Sequence, residues 1–432
     1  MGKLAINGGA PIRSQDFQIR KTMGEREKKA VADVMEKGDI SLFFGSPGKY
    51  FLGGEQVLNF EKKWAQKYNF KNCITTNSWT TGLMTAIGAC GVGPGDEVIC
   101  PPYSMSATTT AVLFYGGIPV FVDIEADTFN IDPKLIEKAI TPRTKAIMLV
   151  HLFGHPANMD AIMAIAKKHN LRVIEDAAHA PGVKYGDKYV GAIGDVGGFS
   201  LNYHKHIHTG EGGVLVTNND FIAQRCQMIR NHGENVIEAY GIEDLTNAIG
   251  SNYRLTEIQA AIGMGQLDDV ETCIDHRNKL HNVIKKGLQG MEGIRAPIIE
   301  ANCTHAFYVY AFKFDEQVVG VSRDKFVNAV IAELPAPKEP EQVTLVQGYI
   351  RPLYLNQIYQ KQIALGSKGF PFNYNQGVKY NYDKGLCPVV ERMYEKELFY
   401  SPIVREAVSE NDIQDLVRAM QKVYENRQEL IG

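Results

Sequence analysis

Between about residue 70 and residue 220, short apolar runs alternate with segments in which apolar positions recur every three to four residues. The short runs predict strands at Asn72–Thr76, Glu97–Cys100, Pro119–Val122, Ala146–His151 and Arg172–Glu175. Gly198–Ser200 and Gly213–Thr217 read as two more, joined by a sharp turn. The longer segments predict helices at Trp79–Cys90, Thr108–Tyr115, Pro133–Ile140 and Met159–Lys168. Such alternation builds a largely parallel sheet with helices on both faces, and ligands of these sheets bind beyond the carboxyl ends of the strands. After Asp220 the pattern changes. Residues 220–232 and 254–288 read as helical, Ala306–Phe314 as a strand and Arg323–Glu333 as a helix. Residues 334–390 are irregular and rich in Pro, Gly, Tyr and Asn, and a closing helix runs from about Glu410 to Arg427.

At 432 residues the chain exceeds the roughly 250–300 at which one hydrophobic core stops growing. Two domains are therefore expected: a large one over residues 20–274 and a smaller one over 275–432, with residues 1–19 packed on the smaller. The chain is 44% hydrophobic and 22% charged with a net charge of −3, which favours neither nucleic acid nor a membrane surface as partner. The seven cysteines include no C-x-x-C pair, so a reduced, cytoplasmic setting is expected rather than a disulfide framework. The opening MGKLAINGGAP lacks the charged and apolar regions of a secretory leader, and Ile6 stands where a myristoylation signal needs Ser or Thr. No apolar run approaches the roughly 18 residues of a membrane span.

Chemistry concentrates at a few points. In FSLNYHKHIHTGEGGVLVTNN, residues 199–219, Lys205 lies between a strand and a Gly-rich turn, with Ser200 before it and Glu211 after it. Asp176 in VIEDAAHAPG follows an apolar strand, so its carboxylate projects at the strand's carboxyl end, with His179 just beyond. In TTNSWTTGLMTAI, a strand ends at Thr76 and a helix starts near Thr80, a place where free N–H groups and the helix dipole suit a phosphate. The same Ser and Thr residues also serve as helix caps. His151 and His155 lack the carboxylates or cysteines that would make a metal site, so no metal is expected and structural roles fit them best.

The lysine segment resembles the signature of the DegT/DnrJ/EryC1/StrS family of sugar aminotransferases, Ser-Phe-x-x-x-Lys-x-Ile-x-x-Gly-Glu-Gly-Gly, with Leu201 in place of Phe. The likeness extends from about Gly24 to Val423. It implies the fold type I architecture of pyridoxal 5'-phosphate (PLP) enzymes, an α/β large domain with a mostly parallel seven-stranded sheet and a smaller α+β domain. It implies PLP as cofactor, held by Lys205 as a Schiff base, with Asp176 at the pyridine nitrogen and His179 at the ring's phenolic oxygen. Phosphate contacts then fall to Ser78, Trp79 and Thr80, where relatives often read Ser-Gly-Thr or Ser-Cys-Thr, and to Ser200. In GDEVICPPYSMSATTTAV the position of the residue that stacks on the ring falls on Met105, with Tyr103 two residues earlier as the alternative. In GSNYRLTEIQAAIG, Asn252 matches an Asn that relatives lend from a neighbouring subunit, with Arg254 as a second candidate, so a homodimer with shared active sites is implied.

The implied reaction moves an amino group from glutamate or glutamine to a ketosugar, either a nucleotide-linked keto-hexose or a keto-cyclitol. The opening LAINGGAPIRS and the stretch GYIRPLYLNQIYQ look more like the branch that aminates keto-inositols or makes aminohydroxybenzoate. A lysine at 205, where the family's dehydratases carry histidine, argues against a sugar dehydratase of that type. A PLP-dependent sugar dehydratase other than the histidine type, an aminohydroxybenzoate-type aromatising synthase and a non-catalytic PLP-binding regulator remain as alternatives.

Overall fold

The computed structural model describes residues 3–431; Met1, Gly2 and Gly432, which the expected terminal segments include, lie outside the described residues. Nine strands occupy the first half of the chain. They are β1 (Asn72–Thr76), β2 (Glu97–Cys100), β3 (Ile118–Phe121), β4 (Thr144–Val150), β5 (Arg172–Asp176), the hairpin β6 (Lys184–Tyr185) and β7 (Lys188–Tyr189), β8 (Val196–Ser200) and β9 (Gly213–Thr217). All but the hairpin join one seven-stranded sheet in the order β1-β9-β8-β5-β4-β2-β3. Only β9 runs against its neighbours, so the mostly parallel α/β sheet implied by the alternation is the one observed. The central strands are buried on both faces, which is why β4 and β5 read as near-continuous apolar runs and not as alternating ones.

Helix ends follow local chemistry. Asp132 caps the helix Pro133–Ala139, whose first residue is a proline that needs no N–H partner. Asn158 caps Met159–His169 and Thr256 forms a capping box with Gln259 at Glu257–Gln266. The expected helical span 254–288 is in fact two helices, Glu257–Gln266 and Val270–Gly287, joined by a 3-10 turn. Two helices ahead of the alternating region, Glu25–Lys37 and Glu55–Tyr68, have no intervening strand and so escape a reading based on strand–helix alternation. The connection between β8 and β9 is a loop over residues 201–212 and not a sharp turn, because the chain must leave the sheet edge and return.

The second half carries a four-stranded antiparallel sheet, β10 (Ile294–Arg295), β11 (Tyr310–Phe314), β12 (Val346–Gln347) and β13 (Leu398–Ser401), in the order β10-β11-β13-β12. The strand expected over Ala306–Phe314 begins only at Tyr310, since Phe307 adopts φ 46° and the Phe307 and Tyr308 carbonyls turn to accept from Arg277 Nη1 at 2.7 and 3.1 Å. One core cluster unites Leu280, Ile284, Phe312, Phe326, Phe399 and Met420, and it also contains Leu4 and Phe17 from the start of the chain. The irregular stretch 334–390 is packed. Tyr359 and Tyr382 meet Phe121 of β3 edge-on at 5.2 and 5.8 Å, and their hydroxyls donate to Thr109 Oγ1 and Pro119 O at 2.6 and 2.9 Å. That packing covers the exposed side of an edge strand. No helix among the described residues is long and apolar enough to cross a membrane, and all seven cysteines are free thiols.

One buried ion pair ties β1 to the two helices beside it. Arg230 is fully buried, and its Nη1 donates to Glu61 Oε1 at 2.6 Å and to Thr75 O at 3.2 Å. Glu61 Oε1 also accepts from Thr75 N and Oγ1 at 2.8 and 2.9 Å. Removing the cation leaves a carboxylate desolvated without its partner, which costs roughly 3–5 kcal/mol. Arg230→Ala is expected to lower the thermal-unfolding midpoint sharply; an unchanged midpoint would contradict this reading of the pair.

Candidate active site

The strand register brings the candidate residues to one edge. Thr76 of β1 and Ser200 of β8 both pair with Gly213 of β9, so the ends of three adjacent strands line up. Asp176 closes β5 in register with Val150 and Gly198. Ser78 follows β1 directly and caps the helix Trp79–Ala89 by accepting from Thr81 N at 3.1 Å, while Thr80 sits half-buried in that helix's first turn. Ser200 ends β8, and its hydroxyl accepts from Asn202 N at 3.3 Å. The loop 201–212 then carries Lys205 back over this edge.

Lys205 is only 7% exposed. Its Nζ lies 4.2 Å from the centroid of the Tyr308 ring, and that ring stacks on His179 at 4.0 Å and 12°. Burial drives the amine's pKa down to about 7, and the nearby Asp176 charge partly opposes the fall. The carboxylate itself is buried and accepts from Trp79 Nε1 at 2.8 Å and Ala178 N at 3.2 Å through Oδ1, and from Thr108 Oγ1 at 2.9 Å through Oδ2. Burial, helped by the Lys205 charge, holds His179 well below the usual imidazole range and therefore neutral. Its Nδ1 is buried without a partner. Buried polar atoms ordinarily have partners, so this nitrogen fits a site that takes a polar group from a bound molecule. An unpaired ring nitrogen, a buried amine that titrates near neutral pH and a buried carboxylate are groups that suit a pyridoxal ring.

The two stacking candidates part company. Tyr103 is fully buried in a core cluster, edge-on to Tyr349 at 5.5 Å, whereas Met105 is 61% exposed. Asn252 is exposed; its amide oxygen accepts from Arg254 Nε at 2.8 Å, and its carbonyl accepts from Asn77 Nδ2 at 3.3 Å. His151 pairs with Glu175 at 2.9 Å, both fully buried; His155 Nδ1 donates to Pro156 O at 2.9 Å and its Nε2 accepts from Glu300 N at 3.2 Å, and the Glu300 carboxylate and Cys303 thiol lie beside it, neighbours distant in sequence that the expectation of no carboxylate or cysteine there missed.

Three contributors carry no motif of their own. Thr108 reaches Asp176 from the next helix, and Tyr308 flanks Lys205 from the second half of the chain. Arg20 holds the lysine loop by donating to Tyr203 O and Lys205 O, each at 2.7 Å. Arg20 also lies 3.6 Å from Glu406, which pairs with Arg277 at 2.6 Å. An isolated Arg, Thr or Tyr at such distances in sequence leaves no periodic or spacing signal.

A family model described as the DegT/DnrJ/EryC1/StrS aminotransferase family matches residues 23–373. The L-glutamine:2-deoxy-scyllo-inosose aminotransferase of Micromonospora echinospora is 31% identical over 442 residues, covering 100% of each chain. GDP-perosamine synthase of Caulobacter vibrioides is 38% identical over 64% of this chain and 73% of its own. Among solved structures, the aminotransferase from Psychrobacter cryohalolentis superposes with a TM-score of 0.79 at 28% identity, covering 95% of this chain and 99% of that one.

The environment of Lys205 sets a pH dependence. Above a pKa of about 7 its amine is free base, while exposed lysines reach that state only near 10.4. Acylation of the cofactor-free protein by a small amine-directed reagent, followed by mass spectrometry, is expected to show half-maximal rate at Lys205 near pH 7. A Lys205 profile that follows the exposed lysines would contradict the buried-amine geometry.

Proposed function

The chain belongs to the DegT/DnrJ/EryC1/StrS aminotransferase family and is a PLP-dependent aminotransferase; from that premise we propose that it carries an amino group from glutamine or glutamate to the keto group of a ketosugar or ketocyclitol. PLP supplies an aldehyde that takes up the donor's amine and a ring that draws electrons from the donor's α-carbon. The observation that carries the reading is the buried Lys205 amine beside the buried Asp176 carboxylate at the carboxyl edge of the sheet.

In this reading Lys205 would hold the cofactor through Nζ, and the same amine, freed when the donor's amine takes its place, would take up the proton from the donor's α-carbon. Asp176 accepts from the ring nitrogen and keeps it protonated. His179 offers its unpartnered Nδ1 to the phenolic oxygen. Ser78, Thr80, Ser200 and the Trp79 backbone N–H hold the phosphate at the start of a helix, where free N–H groups and the dipole favour an anion. Met105 would offer its exposed, polarizable thioether to the cofactor ring. Asn252 serves the site of a second copy of the chain, so the working unit is a homodimer. Residues 20–274 form the cofactor-binding domain and residues 275–432 the smaller one.

The acceptor is a polyhydroxylated cyclic ketone. The match to an inosose aminotransferase spans the whole chain and so includes the packed stretch 334–390, whereas the match to a perosamine synthase covers 64% of it. That likeness, at 31% identity, supports a keto-cyclitol as acceptor and glutamine as donor; a nucleotide-linked ketosugar is the second reading, because an enzyme solved with its TDP-sugar product also spans 99% of this chain, at 25% identity.

Protein loaded with PLP and given glutamine is expected to lose its visible absorbance band in favour of a near-ultraviolet one. Addition of a keto-inositol is then expected to restore the visible band and release an aminocyclitol detectable by mass spectrometry. Restoration by nucleotide-linked keto-hexoses alone would overturn the cyclitol reading, and a band that no donor shifts would overturn amino transfer itself.

A further inference from the structure

We propose that Trp79 acts through its side chain as a positioning residue for Asp176, a role that rests on the reading of Asp176 as partner of the cofactor's ring nitrogen. The indole is 5% exposed, and its Nε1 donates to Asp176 Oδ1 at 2.8 Å. The ring lies in space that two glycines leave open. A Cβ at Gly82 would stand 2.5 Å from the indole, and one at Gly198 would stand 2.6 Å from it. Gly198 is also the residue paired with Asp176 in the sheet. Helix and strand are thus both shaped to let this one ring reach the carboxylate.

The donors around Asp176 leave it one direction in which to act. An ionised carboxylate has about four acceptor sites, two on each oxygen. Trp79 and Ala178 fill Oδ1, and Thr108 fills one site on Oδ2, itself in contact with Ser104 Oγ at 3.0 Å. The remaining capacity lies on Oδ2, and Trp79 together with Thr108 fixes the plane in which that oxygen presents it. A charge-assisted bond from an indole is short and directional, so it orients the carboxylate as well as stabilising it. The same residue then serves the cofactor from two sides, by its backbone N–H at the phosphate and by its indole through Asp176.

The chain has two tryptophans, and they differ in a useful way. Trp64 is buried with Nε1 unpartnered, while Trp79 Nε1 is bonded to a carboxylate. Nitrogen-labelled protein without cofactor is expected to show two indole N–H resonances in its proton–nitrogen spectrum, the Trp79 one far downfield. Asp176→Ala should move that resonance and leave Trp64's in place. Titration with PLP should show Trp79→Phe binding the cofactor about tenfold more weakly than wild type, the lower end of what loss of a ligand-orienting hydrogen bond costs, with a lowered melting temperature before loading, since a buried carboxylate loses a donor. If Trp79→Phe fails to fold, the indole resonances of wild type recorded with and without PLP decide: the Trp79 signal alone should shift. A Trp79 resonance indifferent to Asp176→Ala or to PLP, or a Trp79→Phe protein that binds PLP as tightly as wild type, overturns the proposal. Wild-type protein that takes up no PLP overturns it together with the functional reading beneath it, a failure told apart because the unsubstituted chain shows it.

Discussion

A buried carboxylate survives only where donors hold it, and Asp176 collects its donors from three separate parts of the chain. Trp79 reaches it from the helix after β1, Thr108 from the helix after β2, and Ala178 from the turn that follows β5. Each donor fixes one element of the large sheet relative to the others at the edge where ligands bind. Glycines at 82, 197 and 198 make the approach possible, since a side chain at any of them would strike the indole or the neighbouring backbone. The floor of the site and the packing of the sheet are therefore one arrangement.

The roof depends on a second set of charges. Burial alone would raise the Glu406 carboxyl, but Arg277 and Arg20 hold it down at about 2, so it remains ionised over the working range. Through that carboxylate, Arg277 fixes the carbonyls of Phe307 and Tyr308, and Arg20 fixes those of Tyr203 and Lys205. The lysine loop and the Tyr308 ring beneath Lys205 are thereby set against each other by residues from the start, middle and end of the chain. The low pKa of the amine follows from this enclosure, because the loop is pressed into a hollow where a positive charge loses its water.

The sheet was legible because buried parallel strands and their covering helices impose two distinct periods, and β1, β2 and β9 match the expected bounds. Lys205, Asp176 and His179 were singled out by segments that resemble the family's, and the structure brings the three together. What stayed hidden depended on long-range contacts. The antiparallel β13 pairs with β11 across a wide gap in sequence and shows only four residues of pattern. Residues 334–390 read only as an irregular stretch rich in Pro, Gly, Tyr and Asn, yet Tyr359 and Tyr382 seal an edge strand. Trp79 looked like an imperfection in a phosphate loop until its side chain was seen to turn inward, and Arg20 and Thr108 gave no local sign at all.

The central claim is that Lys205 is the residue that bonds the cofactor. Borohydride reduction of the PLP-loaded protein, followed by proteolysis and peptide mass mapping, tests it most directly. The account predicts a pyridoxyl phosphate mass increment confined to the peptide that contains Lys205. An increment on any other lysine, or on none after the protein has visibly taken up PLP, would contradict it.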